Sequence, residues 1–269
     1  MQQTFEELYE RLESRWQSND IIKKNIHHQK INKLLSLLPT SGKLLDIGRG
    51  GSVDGVLGVM AAKRGLHVTI CSPKQDFLDV ISKFAQAQGV QIENLVVCHP
   101  TELPFDDDSF DVISCIHVLE HIENYEKALG EIYRVTRGAA VIGLPTCLNL
   151  CVFARIGGAD YFNFKAHSIP CLLLGLLKVL WGIITFQRGV YENNIENGIV
   201  FKHFLRFPWV AKSDIKKHNF VVKKMGADAL CFPWIKRLVG VQRFLDRFAY
   251  APFLSLFGFG THIYAHKEK

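Results

Sequence analysis

The chain has 269 residues, of which 48% are hydrophobic and 22% charged, so it has room for one large domain or for one domain with a sizeable insertion. Its seven cysteines form no CxxC pair and no Cys/His cluster at metal-ligand spacing, which argues against a disulfide framework and against a zinc site. The N-terminal stretch is charged and lacks the apolar core of a signal peptide, and a cytoplasmic location is therefore expected.

The net charge of +6 is unevenly distributed along the chain. Residues 1–150 carry 15 Lys and Arg against 19 Asp and Glu, a net charge of −4, whereas residues 151–269 carry 17 against 7, a net charge of +10. An ordinary solvated basic surface is the simplest explanation of such an excess. Because the basic residues lie beside very apolar segments, an anionic or membrane-surface partner is the sharper hypothesis.

The predicted elements begin with two helices and continue as alternating strands and helices. Apolar residues at helical spacing predict helices over 5–17 and 21–38, which make up an N-terminal segment of residues 1–39. Short apolar runs then predict strands at 43–48, 66–72, 93–99, 110–118 and 138–145. Between them, helices are predicted at 56–64, 76–88 and 125–137. This alternation predicts a doubly wound α/β domain with a mostly parallel sheet over residues 40–146.

The stretch "LLDIGRGGSVDG", residues 44–55, carries the first functional signal. A strand containing Asp46 runs into Gly48 and Gly50, which predicts a tight turn before the N-terminus of a helix. Free backbone N–H groups there favour a polar or anionic ligand group. Dinucleotide-binding folds place an acid about 20 residues after the glycines. An acid before the first glycine instead suits a ligand that carries an ammonium group.

Downstream residues identify the kind of domain. The segment "PTELPFDDDSFDVISCIHVLEHIENYEKALGEIYRVTRGAAVIGLP", residues 100–145, resembles the class I S-adenosylmethionine-dependent methyltransferases, and more narrowly their small-molecule, quinone-methyltransferase-like branch. The matching pieces are "LPF", "SFDVI", "VLEHI", "ALGEIYRV" and the strand that ends in Pro145. The resemblance covers residues 44–145 and returns at "HFLRFPWVAKSDIKKHNFVVKKM". It implies a seven-stranded sheet, S-adenosylmethionine as cofactor and methyl transfer to a small molecule.

The resemblance also implies which residues contact the cofactor. Asp46 would hold the ammonium of the methionine moiety, and the backbone at Gly48 and Gly50 would pass beneath the cofactor. The remaining implied cofactor-binding positions are Gly55, Ser72, His99, Thr101, Glu102, Leu103, His117 and Val118. Core packing is an equally good explanation of the two apolar positions, Leu103 and Val118, and helix capping is the less favoured alternative for Asp46.

Three departures from the family pattern bear on cofactor binding. Ser72 stands where an acid would hold both ribose hydroxyls, and His99 stands where an acid would lie near the adenine amine. The glycine loop is about three residues longer than usual, so that Gly55 opens the helix. Losing a carboxylate acceptor costs on the order of 1.5–3 kcal/mol of ribose-binding free energy per charged hydrogen bond.

Because these departures weaken the expected cofactor site, the alternative function is a protein of the same fold that transfers no methyl group and acts as a structural partner or another catalyst. An NAD-dependent oxidoreductase is a more distant alternative.

The segment from 147 to 209 is predicted to be an apolar helical insertion that covers the substrate. Its central run, residues 169–186, has 18 residues of which only Lys178 is charged. This is borderline for a membrane span, and Pro170, two glycines and Lys178 argue against spanning. We therefore expect a lid or a membrane-dipping helix. A helix buried in the core or in the contact of a homodimer is the simpler alternative.

The segment from 210 to 269 is predicted to complete the sheet with strands at 220–228 and 261–268. Between them a basic amphipathic helix is predicted, with basic and apolar residues at helical spacing: Lys236, Arg237, Arg243 and Arg247 beside Leu238, Val241, Phe244, Leu245 and Phe248. Trp181, Trp209 and Trp234 are candidate interfacial anchors. Nucleic acid is not expected, because the basic residues flank aliphatic stripes and not a polar groove with aromatics. The expected partners are a hydrophobic small molecule and the inner face of a membrane, contacted peripherally.

Three histidines are candidates for the base that removes a proton from the acceptor: His121, His167 and His203. His121 lies in the "LEH" part of the resemblance, where related quinone enzymes can bind a divalent cation through nearby acids, here Glu120 and Glu123. No metal is assigned on this basis, because bracing of the following helix explains His121 at least as well.

Overall fold

A computed structural model of the chain describes residues 4–17, 21–48, 55–159, 168–196, 199–228, 230, 237 and 239–268. The chain divides into two compact units. Unit 1 comprises Met1–Ile142, His218–Lys223 and Tyr264–Lys269, and unit 2 comprises Gly143–Lys217 and Lys224–Ile263.

The described residues form helices and strands close to the predicted bounds. The helices are α1 (Phe5–Trp16), α2 (Ile21–Leu35), α3 (Val56–Ala62), α4 (Gln75–Ala87), α5 (Tyr125–Val135), α6 (Leu150–Ile156), α7 (Ser168–Ile184), α8 (Pro208–Lys217) and α9 (Val239–Asp246). The strands are β1 (Lys43–Ile47), β2 (His67–Ser72), β3 (Asn94–Val97), β4 (Phe110–Ile116), β5 (Thr136–Pro145), β6 (Gly189–Glu196), β7 (Ile199–Arg206), β8 (Phe220–Asp228) and β9 (Gly260–Lys267). Short 3-10 turns follow β4 and α9 at Leu119–His121 and Leu254–Leu256.

Seven strands form one mostly parallel sheet in the order β3-β2-β1-β4-β5-β9-β8, which confirms the predicted fold class. β1 is parallel to β2 on one side and to β4 on the other. In this register Asp46 pairs with Ile70 of β2 and with Ser114 of β4. Because the carboxyl ends of parallel strands meet at one edge of a sheet, the loops after β1, β2 and β4 lie at the edge where doubly wound folds bind ligands.

The helices of unit 1 follow from local sequence. A capping box begins α1, since Thr4 accepts the Glu7 N–H and Glu7 accepts the Thr4 N–H. Asn124 caps α5 by accepting the Lys127 N–H at 3.2 Å. The apolar face of α4 is buried, with Phe77, Leu78, Ile81 and Phe84 each at most 3% exposed.

Unit 2 contains an element that the sequence did not predict. The insertion at 147–209 holds the expected helices, α6 and α7, and in addition an antiparallel two-stranded sheet formed by β6 and β7. Val190, Leu205 and Phe207 are buried in an apolar cluster with Phe153 and Ile156 of α6. The hairpin therefore packs its apolar face inside unit 2.

The predicted amphipathic helix is present as α9, and its buried face contains polar residues. Gln242 and Asp246 are buried, together with Val239, whereas Val241 and Phe244 are exposed. The exposed apolar residues therefore share the solvent face with Arg243. The predicted helix residues Lys236 and Leu238, and the proposed anchor Trp234, lie outside the described residues.

No helix within the described ranges is long and apolar enough to cross a membrane.

Candidate active site

Asp46 lies at the carboxyl end of β1 and is buried, with 4% exposure. Its Oδ2 accepts the Gly58 N–H at 2.9 Å, and its Oδ1 accepts the Ser114 hydroxyl at 2.5 Å. A Cβ at position 58 would lie 2.8 Å from Oδ2, so that glycine is required for this contact. Asp46 thus joins β1 to α3 and to β4. Sequence reasoning missed Gly58 and Ser114. The available signal for Gly58 was a second glycine one helical turn after Gly55, at the start of the helix that faces Asp46.

The described ends of the glycine loop lie in the expected places. Gly48 donates its N–H to the Cys71 carbonyl of β2 at 2.8 Å. Gly55 precedes α3 with φ +77°, a left-handed conformation in which a Cβ would also lie 2.8 Å from Cδ1 of Ile81. Gly55 therefore opens the helix, as the counting of loop residues predicted. Gly50 lies outside the described residues.

Ser72 is the last residue of β2 and is fully buried. Its hydroxyl accepts the Lys74 N–H at 3.3 Å, and its carbonyl accepts the Cys98 N–H at 3.1 Å. The strand end that carries an acid in the related enzymes therefore carries a single hydroxyl here. That hydroxyl retains its own proton for donation.

His99 follows β3 in an exposed turn that includes Thr101 and Glu102. Its Nδ1 accepts the Thr101 N–H at 3.3 Å and contacts the Thr101 hydroxyl at 2.8 Å. Since a backbone N–H can only donate, Nδ1 is the acceptor nitrogen and the ring proton resides on Nε2. His99 consequently presents a donor where the family has an acid.

The loop at Leu103 is held by an ion pair that the sequence did not reveal. Leu103 is buried, and its N–H donates to Glu131 Oε2 at 2.8 Å. Arg134 donates to the Leu103 carbonyl at 2.9 Å and to the Phe105 carbonyl at 2.7 Å, and it pairs with Glu131 at 2.8 Å. The hydrogen bond from Arg134 lowers the pKa of Glu131. The two residues, one turn apart on α5, fix the path of the loop at Leu103.

The segment after β4 brings two candidate histidines to one carboxylate. His117 has a left-handed backbone, φ +56°, which is unusual for a non-glycine residue and is common at functional sites. Its Nδ1 lies 3.3 Å from Glu120 Oε1, and His121 Nε2 lies 3.7 Å from the same oxygen. Val118, which follows His117, is fully buried.

Glu120 is ionised in this setting although its side chain is only 4% exposed. Burial raises its pKa, but the hydrogen bond from His117 and the charges of His117 and His121 outweigh burial and leave the pKa of Glu120 below its ordinary value. Its Oε2 has no hydrogen-bond partner among the described side chains and backbone groups. In the described part of the chain, no group of three or more His, Cys, Asp and Glu residues is arranged to hold a metal ion.

The other two candidate bases, His167 and His203, are distant from this cluster in sequence. His203 lies on β7 in unit 2, where its Nδ1 is 3.1 Å from Glu192 Oε1. His167 lies outside the described residues.

Comparison with known proteins gives the family of the strand-and-helix core. Residues 45–142 match the family described as a methyltransferase domain. This part of the chain is a class I S-adenosylmethionine-dependent methyltransferase domain. The match coincides with the resemblance predicted from residues 44–145.

Two curated relatives of this domain act in quinone biosynthesis according to their names. The chain is 28% identical over 143 residues to the ubiquinone biosynthesis O-methyltransferase of Aeromonas salmonicida. The aligned region covers 51% of this chain and 59% of that protein. The chain is also 27% identical over 161 residues to the ubiquinone/menaquinone biosynthesis C-methyltransferase UbiE of Bartonella bacilliformis. That aligned region covers 57% of this chain and 60% of that protein. The chain thus spans about three fifths of the length of these relatives.

Among solved structures, a putative S-adenosylmethionine-dependent methyltransferase from Listeria monocytogenes superposes with a TM-score of 0.59. The superposition covers 91% of this chain and 97% of that chain at 13% sequence identity. At this identity the likeness shows the fold alone.

Proposed function

We propose that the protein transfers a methyl group from S-adenosylmethionine to a hydrophobic, lipid- or quinone-like small molecule, with oxygen as the favoured acceptor atom. The observation that carries the proposal is the buried Asp46 carboxylate, which ties Gly58 of α3 and Ser114 of β4 to the end of β1. It lies inside the matched domain, at the sheet edge where this fold binds ligands. The O-methyltransferase among the relatives favours oxygen, and the C-methyltransferase keeps carbon as the second choice.

The residues at this edge fit S-adenosylmethionine with a changed donor set. Asp46 offers negative charge near the cationic methionine end, and the buried Ser72 hydroxyl can bond one ribose oxygen. His99 offers its Nε2 proton to an adenine ring nitrogen, where an acid would accept from the amine. The cofactor would therefore be held by Asp46, Ser72, His99 and the loop at Leu103, with weaker ribose binding than a carboxylate provides.

Methyl transfer from a sulfonium requires that the protein align the two reactants, exclude water and remove a proton from the acceptor. S-adenosylmethionine, when bound, supplies an electrophilic methyl group on a sulfonium. Asp46 and the turn at Gly55 orient the cofactor, and a histidine takes the acceptor proton. His121, beside the ionised Glu120, and His203, beside Glu192, are the two described candidates for that base.

The alternative function is a protein of this fold that transfers no methyl group. Ser72 and His99 favour it, because each replaces an acid that holds the cofactor in the related enzymes. A weakened site would still fold, since Asp46 and Glu131 make structural hydrogen bonds of their own.

We further propose that unit 2 contacts the inner face of a membrane peripherally and receives its hydrophobic substrate there. The exposed side of α7 consists of large apolar residues: Ile169, Leu173, Leu174, Leu177, Leu180, Trp181, Ile183 and Ile184. Its one charged residue, Lys178, donates to the Ile156 carbonyl at 3.1 Å. A helix with such a face and no spanning length is suited to lie in the membrane interface. A second copy of this chain is the competing occupant of that face.

Calorimetric titration with S-adenosylmethionine and S-adenosylhomocysteine tests the proposed cofactor. We expect both to bind, and Asp46→Ala to weaken binding about tenfold or more, since a charge-assisted hydrogen bond contributes roughly 1.5–3 kcal/mol. Thermal unfolding of each variant separates lost binding from lost folding. Absence of binding of either form at millimolar concentration, by folded wild-type protein, would leave the non-methylating alternative.

A variant that binds the cofactor product more tightly gives a second test, because misfolding lowers affinity and cannot raise it. Ser72→Asp places a carboxylate at the end of β2, and we expect it to tighten binding of S-adenosylhomocysteine about tenfold or more by adding charged hydrogen bonds to the ribose. Ser72→Asn, of similar shape without the charge, is the matched control and should gain less. Unchanged affinity in the aspartate variant would mean that the ribose lies elsewhere.

A further inference from the structure

Two cysteines of unit 1 lie side by side at the carboxyl ends of β2 and β3. Cys71 is the last but one residue of β2, and Cys98 follows the last residue of β3. Cys71 pairs with Val96 in the parallel register, so Cys98, two residues after Val96, lies on the same face as Cys71. The Cys98 N–H still bonds to β2, where it donates to the Ser72 carbonyl at 3.1 Å. Both cysteines are free thiols in this structure.

The two thiols contact each other and differ in their readiness to ionise. A hydrogen bond between their side chains lowers the pKa of Cys98, whereas the same bond, together with burial, raises the pKa of Cys71. Cys71 is fully buried, and Cys98 is 8% exposed. The residues on both sides of Cys98, Val97 and His99, are exposed. Cys98 is therefore the thiol of the pair that ionises first and that lies nearer to solvent.

Such a pair is suited to oxidation by a hydroperoxide. A cysteine that ionises readily reacts first, and a second cysteine in contact with it converts the sulfenic acid into a disulfide. In reducing compartments, disulfides of this kind are transient and redox-sensing. Cys147 of unit 2 has the opposite setting, since it is fully buried and burial raises its pKa to about 12.

We infer that Cys71 and Cys98 form a reversible disulfide when the protein meets a hydroperoxide, and that this bond displaces the turn that begins at His99. In the first step the Cys98 thiolate attacks one peroxide oxygen, the oxygen–oxygen bond breaks, and the leaving hydroxide takes up a proton. In the second step the Cys71 sulfur attacks the sulfur of the Cys98 sulfenic acid, and hydroxide leaves with the Cys71 proton as water. Two thiols and one hydrogen peroxide thus give one disulfide and two waters, with two electrons passing from sulfur to oxygen.

The displacement follows from the geometry of a disulfide. In a regular ladder, the spacing between strands and the rise per residue put diagonal Cα atoms two residues apart at about 8 Å. A disulfide requires about 4.4–6.8 Å between its Cα atoms. β2 lies between β1 and β3, whereas Cys98 follows the end of an edge strand. We therefore expect Cys98 to move toward Cys71 and to pull the turn after it.

The expected effect on the cofactor rests on the proposed function. Ser72 and His99 are the residues proposed to bond the ribose and the adenine, and both adjoin the cysteine pair in sequence. His99 also accepts the Thr101 N–H within the same turn. A displaced turn cannot keep both bonds to the cofactor in place. We expect oxidation to weaken binding of S-adenosylhomocysteine about two- to tenfold, the effect of losing one hydrogen bond.

Peptide mapping under non-reducing conditions tests the disulfide without cofactor or substrate. After treatment of the full chain with hydrogen peroxide, we expect a linked peptide pair that contains Cys71 and Cys98 and that dithiothreitol separates. Cys71→Ser should instead leave a sulfenic acid on Cys98, which dimedone labels, and Cys98→Ser should leave Cys71 reduced. Cys147→Ala, which removes a buried thiol of unit 2, is the matched control and should retain the linked pair. Oxidation of Cys98 to the sulfinic acid without a linked pair, or no reaction at Cys98, would overturn the inference.

Hydrogen exchange and calorimetry test the displacement. The amides of Thr101, Glu102 and Leu103 are hydrogen-bonded in the reduced protein, and we expect them to exchange faster after oxidation. The affinity for S-adenosylhomocysteine should fall in oxidised wild type and Cys147→Ala, return with dithiothreitol, and stay unchanged by peroxide in Cys98→Ser. Unchanged exchange in protein that holds the linked pair would overturn the displacement, and unchanged affinity would overturn the effect on the cofactor. Reduced, folded protein that binds no cofactor but forms the linked pair would contradict the proposed function and leave the disulfide standing.

Discussion

At the scale of single residues, Asp46 and Glu131 of the candidate site each accept a hydrogen bond from a donor that is distant in sequence. Asp46 is held by Gly58 and Ser114, and Glu131 by the Leu103 N–H and Arg134. Motif reading found Asp46 because the acid precedes a glycine turn. It did not find Ser114, since a serine inside an apolar strand carries no signal until the register of β1 and β4 is known.

Glu120 provides a prediction on pH and stability. Its pKa in the folded protein lies below the ordinary value, mainly because the stabilisation by His117 and His121 outweighs burial. A carboxylate with a lowered folded pKa contributes stability above its unfolded pKa and loses that contribution as the pH falls through the folded pKa. We therefore expect the wild type to lose more free energy of unfolding than Glu120→Gln between about pH 5.5 and 3.5.

Urea unfolding at a series of pH values measures this difference. Glu123→Gln, which changes an exposed residue in the same segment, is the matched control and should follow the wild type. Parallel pH curves for the wild type and Glu120→Gln would show that the carboxylate is not stabilised in the folded state.

At the scale of elements, α6 and α7 cross at glycines. A Cβ at Gly175 of α7 would lie 1.7 Å from the Phe153 carbonyl oxygen, and a Cβ at Gly157, just after α6, would lie 1.8 Å from the Cys171 carbonyl oxygen. Both obstacles are backbone atoms, which cannot turn aside as a side chain can. Gly175 is one of the two glycines in the apolar run that argue against a membrane span, and the structure shows its role in the contact between α6 and α7.

Gly175→Ala should accordingly destabilise the protein by about 2–3 kcal/mol or more, because overpacking that moves backbone reaches the upper end of the usual range. Gly130→Ala on α5 is the matched control, since a Cβ there meets nothing within 4 Å. Replacing that helical glycine should stabilise the protein by roughly 0.5–1 kcal/mol. Urea unfolding of both variants gives the comparison, and equal stability of the two would contradict the close crossing.

The sequence predicted most elements of the sheet, because apolar strands between helices have a clear period. The strand β8 was predicted with the bounds that the structure shows, 220–228. The hairpin of β6 and β7 was missed, since Glu192 and His203 interrupt the apolar alternation on its buried face. The buried face of α9 was not predicted, because Gln242 and Asp246 are buried by tertiary contacts that helical periodicity does not contain. The roles predicted for the site residues remain predictions.

At the scale of the whole molecule, charge follows the division into two units. Unit 1 holds 18 Lys and Arg against 20 Asp and Glu, and unit 2 holds 14 against 6, which gives net charges of −2 and +8. The exposed apolar side of α7 and the exposed Phe244 and Phe248 all belong to the basic unit. Positive charge beside exposed aromatic and aliphatic residues is the combination that favours an anionic lipid surface.

We therefore expect the protein to co-sediment with anionic liposomes at low salt and much less at high salt. Basic residues near such a surface contribute about 1 kcal/mol each, and salt screens them. The double variant Arg243→Glu, Arg247→Glu should sediment less, whereas Lys63→Glu, Arg64→Glu, the same charge change at exposed positions of unit 1, should behave as the wild type. Trp181→Glu should weaken binding at every salt concentration, because it removes apolar burial from α7.

Equal sedimentation with neutral and anionic vesicles would remove the electrostatic part of the proposal. A protein that binds neither and dimerises with rising concentration would show that a second copy of the chain, and not lipid, covers α7.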